Sequence, residues 1–349
     1  MFTQRNFIDD LMTMQYFDTF TGIGAGSLAI QSIIPNAECV GFSEIDKYSE
    51  AVYKLHFPNH KNFGDISKID IANLPNFDLL IGGSPCQDVS RAKQNRQGLD
   101  GSRSGLFFKY LEILNVKKPK YFILENVNSM RKEDKDKISE CVGIQPVMIN
   151  SALVSAQQRK RLFWVGKLVD GKYEQVIIPQ PNDRGILLKD ILEKEVEEKY
   201  FLSDKEINYM NGDSGKYSDR YSFTNDDRKE KSNTLVANLY RGVPYNTIKV
   251  GHFNKGGQGD RVYSPDGKSV TLSANGGGRG AKTGLYIVES SDIRKLTPLE
   301  CERLQTFPDN YTKLGIFDGV EKPISNSQRY KQLGNSFTVE VIKHILNNI

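Results

Sequence analysis

The run FDTFTGIGAGS, Phe17–Ser27, decides how the rest of the chain is read. It follows on from MQY as one strand-like stretch, MQYFDTF. Three closely spaced glycines, Gly22, Gly24 and Gly26, then lead into SLAIQSII, whose apolar residues fall at helical spacing and stop near Pro35. A glycine turn between a strand and a helix lets a ligand approach the backbone at the start of the helix. Outward from this unit the pattern repeats. ECVGFSEI reads as a strand and DKYSEAVYKLHF as a helix. FDLLIGG is a strand, RSGLFFKYLEILNVKKP a helix and KYFILENV a strand, followed by the apolar runs QPVMINSALV and RLFWVG. Strand alternating with helix predicts a parallel sheet with helices on both faces.

The 349 residues are 38% hydrophobic and 26% charged, with a net charge of +4, which gives a real core and no overall polyanion-binding signal. Two domains are expected from the length. The four cysteines (39, 86, 141 and 301) show no CxxC or zinc spacing, and Pro58 breaks the helix that would align His56 with His60. No metal is expected. Free thiols suit a reducing cytoplasm, and no apolar run reaches membrane-spanning length. The first 14 residues read as a tail.

After Gly166 the alternation fades. Residues 183–227 hold 7 basic and 12 acidic side chains, whereas 228–288 hold 10 basic and 3 acidic. The basic stretch echoes itself: SNTLVAN at 232–238 returns as SVTLSAN at 269–275. Each copy is followed by a loop with an arginine, Arg241 or Arg279. The sequence leaves open two similar solvated hairpins or paired loops that touch phosphates and base edges. From Arg294 the regular texture returns. LTPLECERLQTFP starts as a helix with a Thr cap and Pro at its first position. The final helix carries an apolar stripe at Val339, Ile342, Ile345 and Leu346 that can pack back on the first domain.

Several residues carry chemistry. Glu44 ends the second strand, 20 positions after Gly24, where an acid commonly holds ribose hydroxyls. Asp65 follows a third strand-like segment and is placed to meet the same cofactor. These two features suit a nicotinamide enzyme and a methyltransferase alike. GGSPCQ narrows the choice, because it sets Cys86 just past a strand end with glycines giving room for a nucleophile. Glu125 ends the strand two elements further on, so thiol and carboxylate face one crevice. Arg159 and Arg161 alternate with Lys160, which in an extended segment turns both guanidinia toward one substrate.

Taken in order, FDTFTGIGAG, SEID, GD, GGSPCQDVS, ENV, QQRKR, LTPLECERLQTFPD and QLGNSF resemble the DNA cytosine-5 methyltransferase family over roughly residues 15–166 and 293–349. Ser84 and the PVMIN…VSA stretch look more like its animal de novo branch. Ala25, Ile45 and Lys160 depart from residues frequent in bacterial members.

The resemblance implies a Rossmann-like α/β methyltransferase domain that depends on S-adenosylmethionine, at 15–170. It is completed by a C-terminal segment at 326–349. A smaller, mostly irregular or β target-recognition domain falls at 171–325. It implies that Cys86 attacks carbon 6 of a flipped-out cytosine in a short double-stranded DNA sequence. Glu125, protonated, grips ring nitrogen 3 and the exocyclic amine, and Arg161 with its partner Arg159 lies near the base oxygen. The implied cofactor contacts are Phe20, Gly22, Ile23, Gly24, Glu44, Ile45, Asp65, Ile66, Pro85, Leu106, Asn335 and Ser336. The loop after Cys86 reads as a lid with Ser90 and Arg103 near phosphates. A monomer is expected, with a restriction endonuclease for the same site as partner. Rival readings are a tRNA methyltransferase of the same family, a catalytically inactive DNA-binding relative and a nicotinamide oxidoreductase.

Overall fold

The computed structural model describes residues 14–85, 106–203, 249–252, 261–274, 282–288 and 292–349. Cys86, Ser90, Arg103, Arg241, Arg279 and the first copy of the SNTLVAN echo lie outside the described residues, as does the expected tail except Met14, which is buried.

Four strands run parallel: β1 (Gln15–Thr19), β2 (Glu38–Ser43), β3 (Leu79–Gly83) and β4 (Tyr121–Val127). With β5 (Val147–Asn150), β6 (Lys160–Val169) and β7 (Lys172–Gln175) they form one sheet. Its order is β2-β1-β3-β4-β6-β5, and β7 also pairs with β6. The order reverses direction between β1 and β3, which opens a crevice at the carboxyl ends of the central strands. The sheet is not parallel throughout. β6 lies antiparallel between β4 and β5, and β7 returns antiparallel beside it. Short connections explain this. The few residues from β5 to β6 and the Asp170–Gly171 turn into β7 leave no room for a crossover helix.

Side-chain alternation builds the core on both faces. Tyr16, Leu79, Ile81, Tyr121, Ile123, Phe163 and Val165 point to one side. There they meet helix α1 (Ala25–Ile33) and the closing helix. Phe17, Leu80, Phe122, Leu124, Leu162 and Trp164 point to the other, against helix α3 (Leu106–Lys117) and helix α4 (Lys132–Val142). Helix α2 (Lys47–His56) starts at Asp46, whose Oδ1 accepts the N–H groups of Tyr48 and Ser49 at 3.0 Å. The strand expected before Asp65 is absent: only a single bridge, Phe42 to Asn62, forms there, and Asp65 caps a short 3₁₀ turn.

A smaller sheet orders β11-β10-β9-β8, from β8 (Lys249–His252), β9 (Arg261–Tyr263), β10 (Leu285–Ile287) and β11 (Ile293–Arg294). Leu202, Val262, Leu285 and Ile293 form its core. The second echo is no hairpin in its described part. Ser269 bridges Gln157 in parallel, Gln158 N–H donates to Ser269 O at 2.9 Å, and Ser269 N–H donates to Ala156 O at 2.7 Å. Residues 269–274 therefore dock on the segment that carries Arg159.

The chain then returns. Helix α5 (Pro298–Leu304) opens with the expected cap, where Thr297 and Glu300 satisfy each other's backbone. A hairpin of β12 (Leu314–Phe317) and β13 (Val320–Pro323) packs on α2. Helix α6 (Asn326–Asn335) and helix α7 (Val339–Leu346) close the molecule. Val339, Ile342, Ile345 and Leu346 are all buried, and α7 lies on α1. Leu296, Cys301, Leu304, Phe307, Tyr311 and Ile324 join the same core, so packing on the first half begins well before position 326.

Candidate active site

The glycine turn after β1 holds three residues in the left-handed region: Phe20 (φ 53°), Gly22 (φ 58°) and Gly24 (φ 90°). Gly24 is the N-cap of α1, and a Cβ there would also lie 2.9 Å from the rings of Tyr53 and Phe57. Only glycine meets both demands. Asp18 braces the turn from below. Its Oδ2 accepts the hydroxyls of Thr21 at 2.6 Å and Ser27 at 3.1 Å. Complete burial lifts the Asp18 carboxyl to about 7, because desolvation outweighs those two bonds.

Glu44 closes the turn from the neighbouring strand. Its carboxylate accepts N–H groups from Gly22 at 2.9 Å and from Ile45 and Asp46 at 2.7 Å. Burial still raises its pKa. Beside it Ile45 is 72% exposed, an apolar surface at the lip of the crevice. Asp46 carries an ion pair to Lys331 at 2.5 Å, which ties α2 to α6.

The other expected cofactor residues divide. Asn335 is exposed at the end of α6 and Ser336 is buried next to it. Pro85 and Leu106 are half-buried on either side of the segment that holds Cys86. Asp65 is spent locally on Ser67, which lowers its pKa. Ile66 turns into the core at 4% exposure, and the Ile23 side chain is fully buried, so only their backbones remain for a ligand.

At the carboxyl ends of β3 and β4 the site becomes chemical. Gly83 pairs with Glu125, and Arg161, paired with Val127, reaches diagonally to Glu125 Oε1 at 2.9 Å. Burial raises the Glu125 pKa, and the nearby guanidinia of Arg161 and Arg159 oppose it without prevailing. Asn126 Nδ2 donates to Ser84 Oγ at 3.1 Å, which fixes the Ser84–Pro85 approach to Cys86.

Arg159, expected beside Arg161, also lies near enough to Glu125 to act on its charge, but its guanidinium is anchored on another part of the fold. It precedes β6, its segment is bonded to residue 269, and its buried guanidinium donates to Gly334 O at 3.0 Å and Ser336 O at 2.7 Å. A longer bond of 3.4 Å reaches Leu272 O. It ties the docked middle segment to the α6–α7 turn.

Sequence reasoning misses Asn126 and Gln305, although ENV and LQTFP contain them. The side-chain amide of Gln305 bonds Leu333 O at 2.6 Å and the hydroxyl of Thr338 at 2.8 Å. No local pattern marks an amide that works across the fold.

These features suit S-adenosylmethionine. A Cβ at Gly22 would meet nothing within 4 Å, so the turn presents open backbone. Glu44 offers a carboxylate oxygen for a ribose hydroxyl, since Oε2 accepts only Gly22 N–H and keeps a lone pair, and Ile45 offers an exposed apolar face for a purine. Among the described residues no group of His, Cys, Asp and Glu could hold a metal ion.

The family model for C-5 cytosine-specific DNA methylases matches residues 14–349. The type II methyltransferase M.HhaI of Haemophilus parahaemolyticus is 32% identical over 97% of this chain and 95% of its own length. The orphan methyltransferase M.SPRI of Bacillus phage SPR is 32% identical over 96% of this chain and 97% of its own. The solved structure of the Entamoeba histolytica methyltransferase EhMeth aligns with a TM-score of 0.66 at 17% identity, covering 96% of this chain and 97% of that one, and supports the fold. A glycine turn braced by Asp18 and Glu44, a Glu125–Arg161 pair at the strand ends and a family match across nearly the whole chain lead to one conclusion: this protein belongs to the C-5 cytosine-specific DNA methylases, enzymes that move a methyl group from S-adenosylmethionine to carbon 5 of cytosine in DNA.

Proposed function

We propose that catalysis runs through a covalent adduct between Cys86 and a cytosine extruded from a short, specific duplex sequence. The observation that carries this reading is the Glu125–Arg161 pair at 2.9 Å, beside the Gly83–Ser84–Pro85 segment that leads directly to Cys86. The Cys86 thiolate adds to carbon 6. Electron density moves into the ring, and Glu125, whose pKa burial raises, donates a proton toward nitrogen 3, while Arg161 faces the base oxygen. Carbon 5 thereby becomes nucleophilic. Bound S-adenosylmethionine supplies the electrophilic methyl group, held by the Phe20–Gly24 turn, Glu44, Ile45, Pro85, Leu106, Asn335 and Ser336. Loss of the carbon 5 proton and departure of the Cys86 sulfur restore the aromatic ring. Extrusion of the base costs a few kcal/mol, which DNA contacts must offset.

In this reading the target is recognised from within residues 171–325. Arg241 and Arg279 meet DNA from that region, and Ser90 and Arg103 meet it from the segment after Cys86. The protein acts as a cytoplasmic monomer. A restriction endonuclease for the same sequence is the partner suggested by the type II name of the Haemophilus relative. Transfer of labelled methyl groups to duplex DNA tests the reading. Cys86→Ser is expected to abolish transfer while DNA binding persists, and substantial turnover by that variant contradicts the assignment.

A further inference from the structure

Phe337 lies between Ser336 and Thr338 in the turn from α6 to α7, and nothing in the reaction so far uses it. A Cβ built on Gly83 would lie 2.8 Å from Glu125 Oε2, 2.8 Å from Phe337 Cε1 and 3.1 Å from Phe337 Cζ. The aromatic edge and the carboxyl oxygen thus flank one point above the strand that leads to Cys86. Neither neighbour moves freely. Glu125 sits in a β-ladder opposite Gly83, and the turn that carries Phe337 is tied down on several sides. Arg159 holds the carbonyls of Gly334 and Ser336. Gln305 holds the carbonyl of Leu333 and the hydroxyl of Thr338, and Ser151 shares a hydrogen bond with the same hydroxyl at 2.8 Å.

We propose that Phe337 is a positioning residue for methyl transfer: its ring closes the Gly83 side of Glu125 against water and so keeps that carboxyl a hydrogen-bond donor to the base. The proposal rests on the acid role given to Glu125 above. Among the described residues the charges around Glu125 press the other way. From β6 comes Arg161 and from the segment before it Arg159, and both favour the ionised form. Among the described residues, β3 and the position after it contribute the uncharged Gly83 and Ser84, and the α6–α7 turn contributes the uncharged Phe337. With two guanidinia close by, exclusion of water is what retains the proton, and an aromatic edge excludes water without offering the carboxylate a donor. The lack of a side chain at Gly83 has the same cause: any Cβ there would separate the ring from the carboxyl.

The test is an infrared pH titration of the full-length protein without DNA, following the protonated-carboxyl band that Glu125→Gln removes. Phe337→Ala is expected to lower its midpoint by about one pH unit, a tenfold loss of proton affinity. It should also slow single-turnover methylation of unmethylated genomic DNA roughly tenfold at mildly alkaline pH, with recovery as pH falls. Phe337→Leu should move the midpoint in the same direction by less, and it serves alone if the alanine variant does not fold. An unchanged midpoint overturns the proposal, including the case where only the affinity for S-adenosylmethionine drops. Full turnover by Glu125→Gln would instead defeat the acid role itself.

Discussion

In the proposed reaction Glu125 meets two conflicting demands at one carboxyl. It holds Arg161 at 2.9 Å, which favours charge, and it is to carry a proton to the base, which favours neutrality. Burial decides between them and raises its pKa. Glu125→Gln keeps the shape and a donor but cannot pass a proton, so the single-turnover rate should fall about 10²-fold or more. A rapid-quench measurement reads this directly. Asp18 shows the same physics as a stability effect. Its carboxyl titrates at about 7 in the fold, against about 3.9 in an unfolded chain. Between those values the folded state keeps a proton that the unfolded state has released. The contribution of Asp18 is therefore greatest below the lower value, falls as pH rises through the window and levels off above about 7, a loss of roughly 4 kcal/mol. Asp18→Asn should flatten most of this decline in urea unfolding at mildly acidic and mildly alkaline pH. What slope remains combines Glu44, which burial raises, with Asp46, Asp309 and Glu340, whose ion pairs lower them and which act in the opposite sense.

At the scale of elements, the strands and helices up to β4 are legible in the sequence because each has its own period. Tyr16 and Phe17, or Leu79 and Leu80, alternate between two buried faces, and α1 repeats its apolar residues at helical spacing. Helix α4 is not legible in this way. KEDKDKISECV is charge-rich, and only Ile138 and Val142 reach the core as buried apolar anchors, so its signal is weak. The direction of β6 is also hidden, since an apolar run such as RLFWVG carries no orientation. The same holds for Arg159, whose partners are backbone carbonyls at positions 272, 334 and 336. Carbonyl partners so distant in sequence leave no trace in local pattern. Glu125 and Glu44 are easier to place from sequence: one lies near the carboxyl end of β4 and the other just past β2, where the sheet itself gives the direction. The stripe on α7 makes a matching prediction. Ile342 is fully buried against α1, so Ile342→Ala should cost about 2–5 kcal/mol in urea unfolding. It should also weaken S-adenosylmethionine binding, because α7 follows directly on Asn335 and Ser336.

At the scale of the molecule, charge is divided rather than spread. The chain carries +4 overall, but residues 228–288 hold 10 basic and 3 acidic side chains. Arg241 and Arg279 lie in that stretch, and the described part of the second echo docks on the catalytic half beside Arg159. Changing either arginine to Ala should weaken DNA binding or relax sequence choice. If the arginine neutralises a phosphate, its removal should make the slope of log affinity against log salt shallower by about 0.9. Titrations at several salt concentrations separate the two roles, since an arginine that reads a base edge governs discrimination and leaves the slope unchanged. The proposed reaction turns on a bond between the Cys86 sulfur and an extruded cytosine. Duplex DNA with 5-fluorocytosine at the target site tests that bond most directly, because fluorine on carbon 5 cannot leave as a proton does and the adduct persists. In the presence of S-adenosylmethionine, the account predicts a denaturant-stable protein–DNA complex that maps by mass spectrometry to Cys86 and is lost in Cys86→Ser. A protein that methylates unmodified DNA yet forms no such complex, or forms one through another residue, would contradict it.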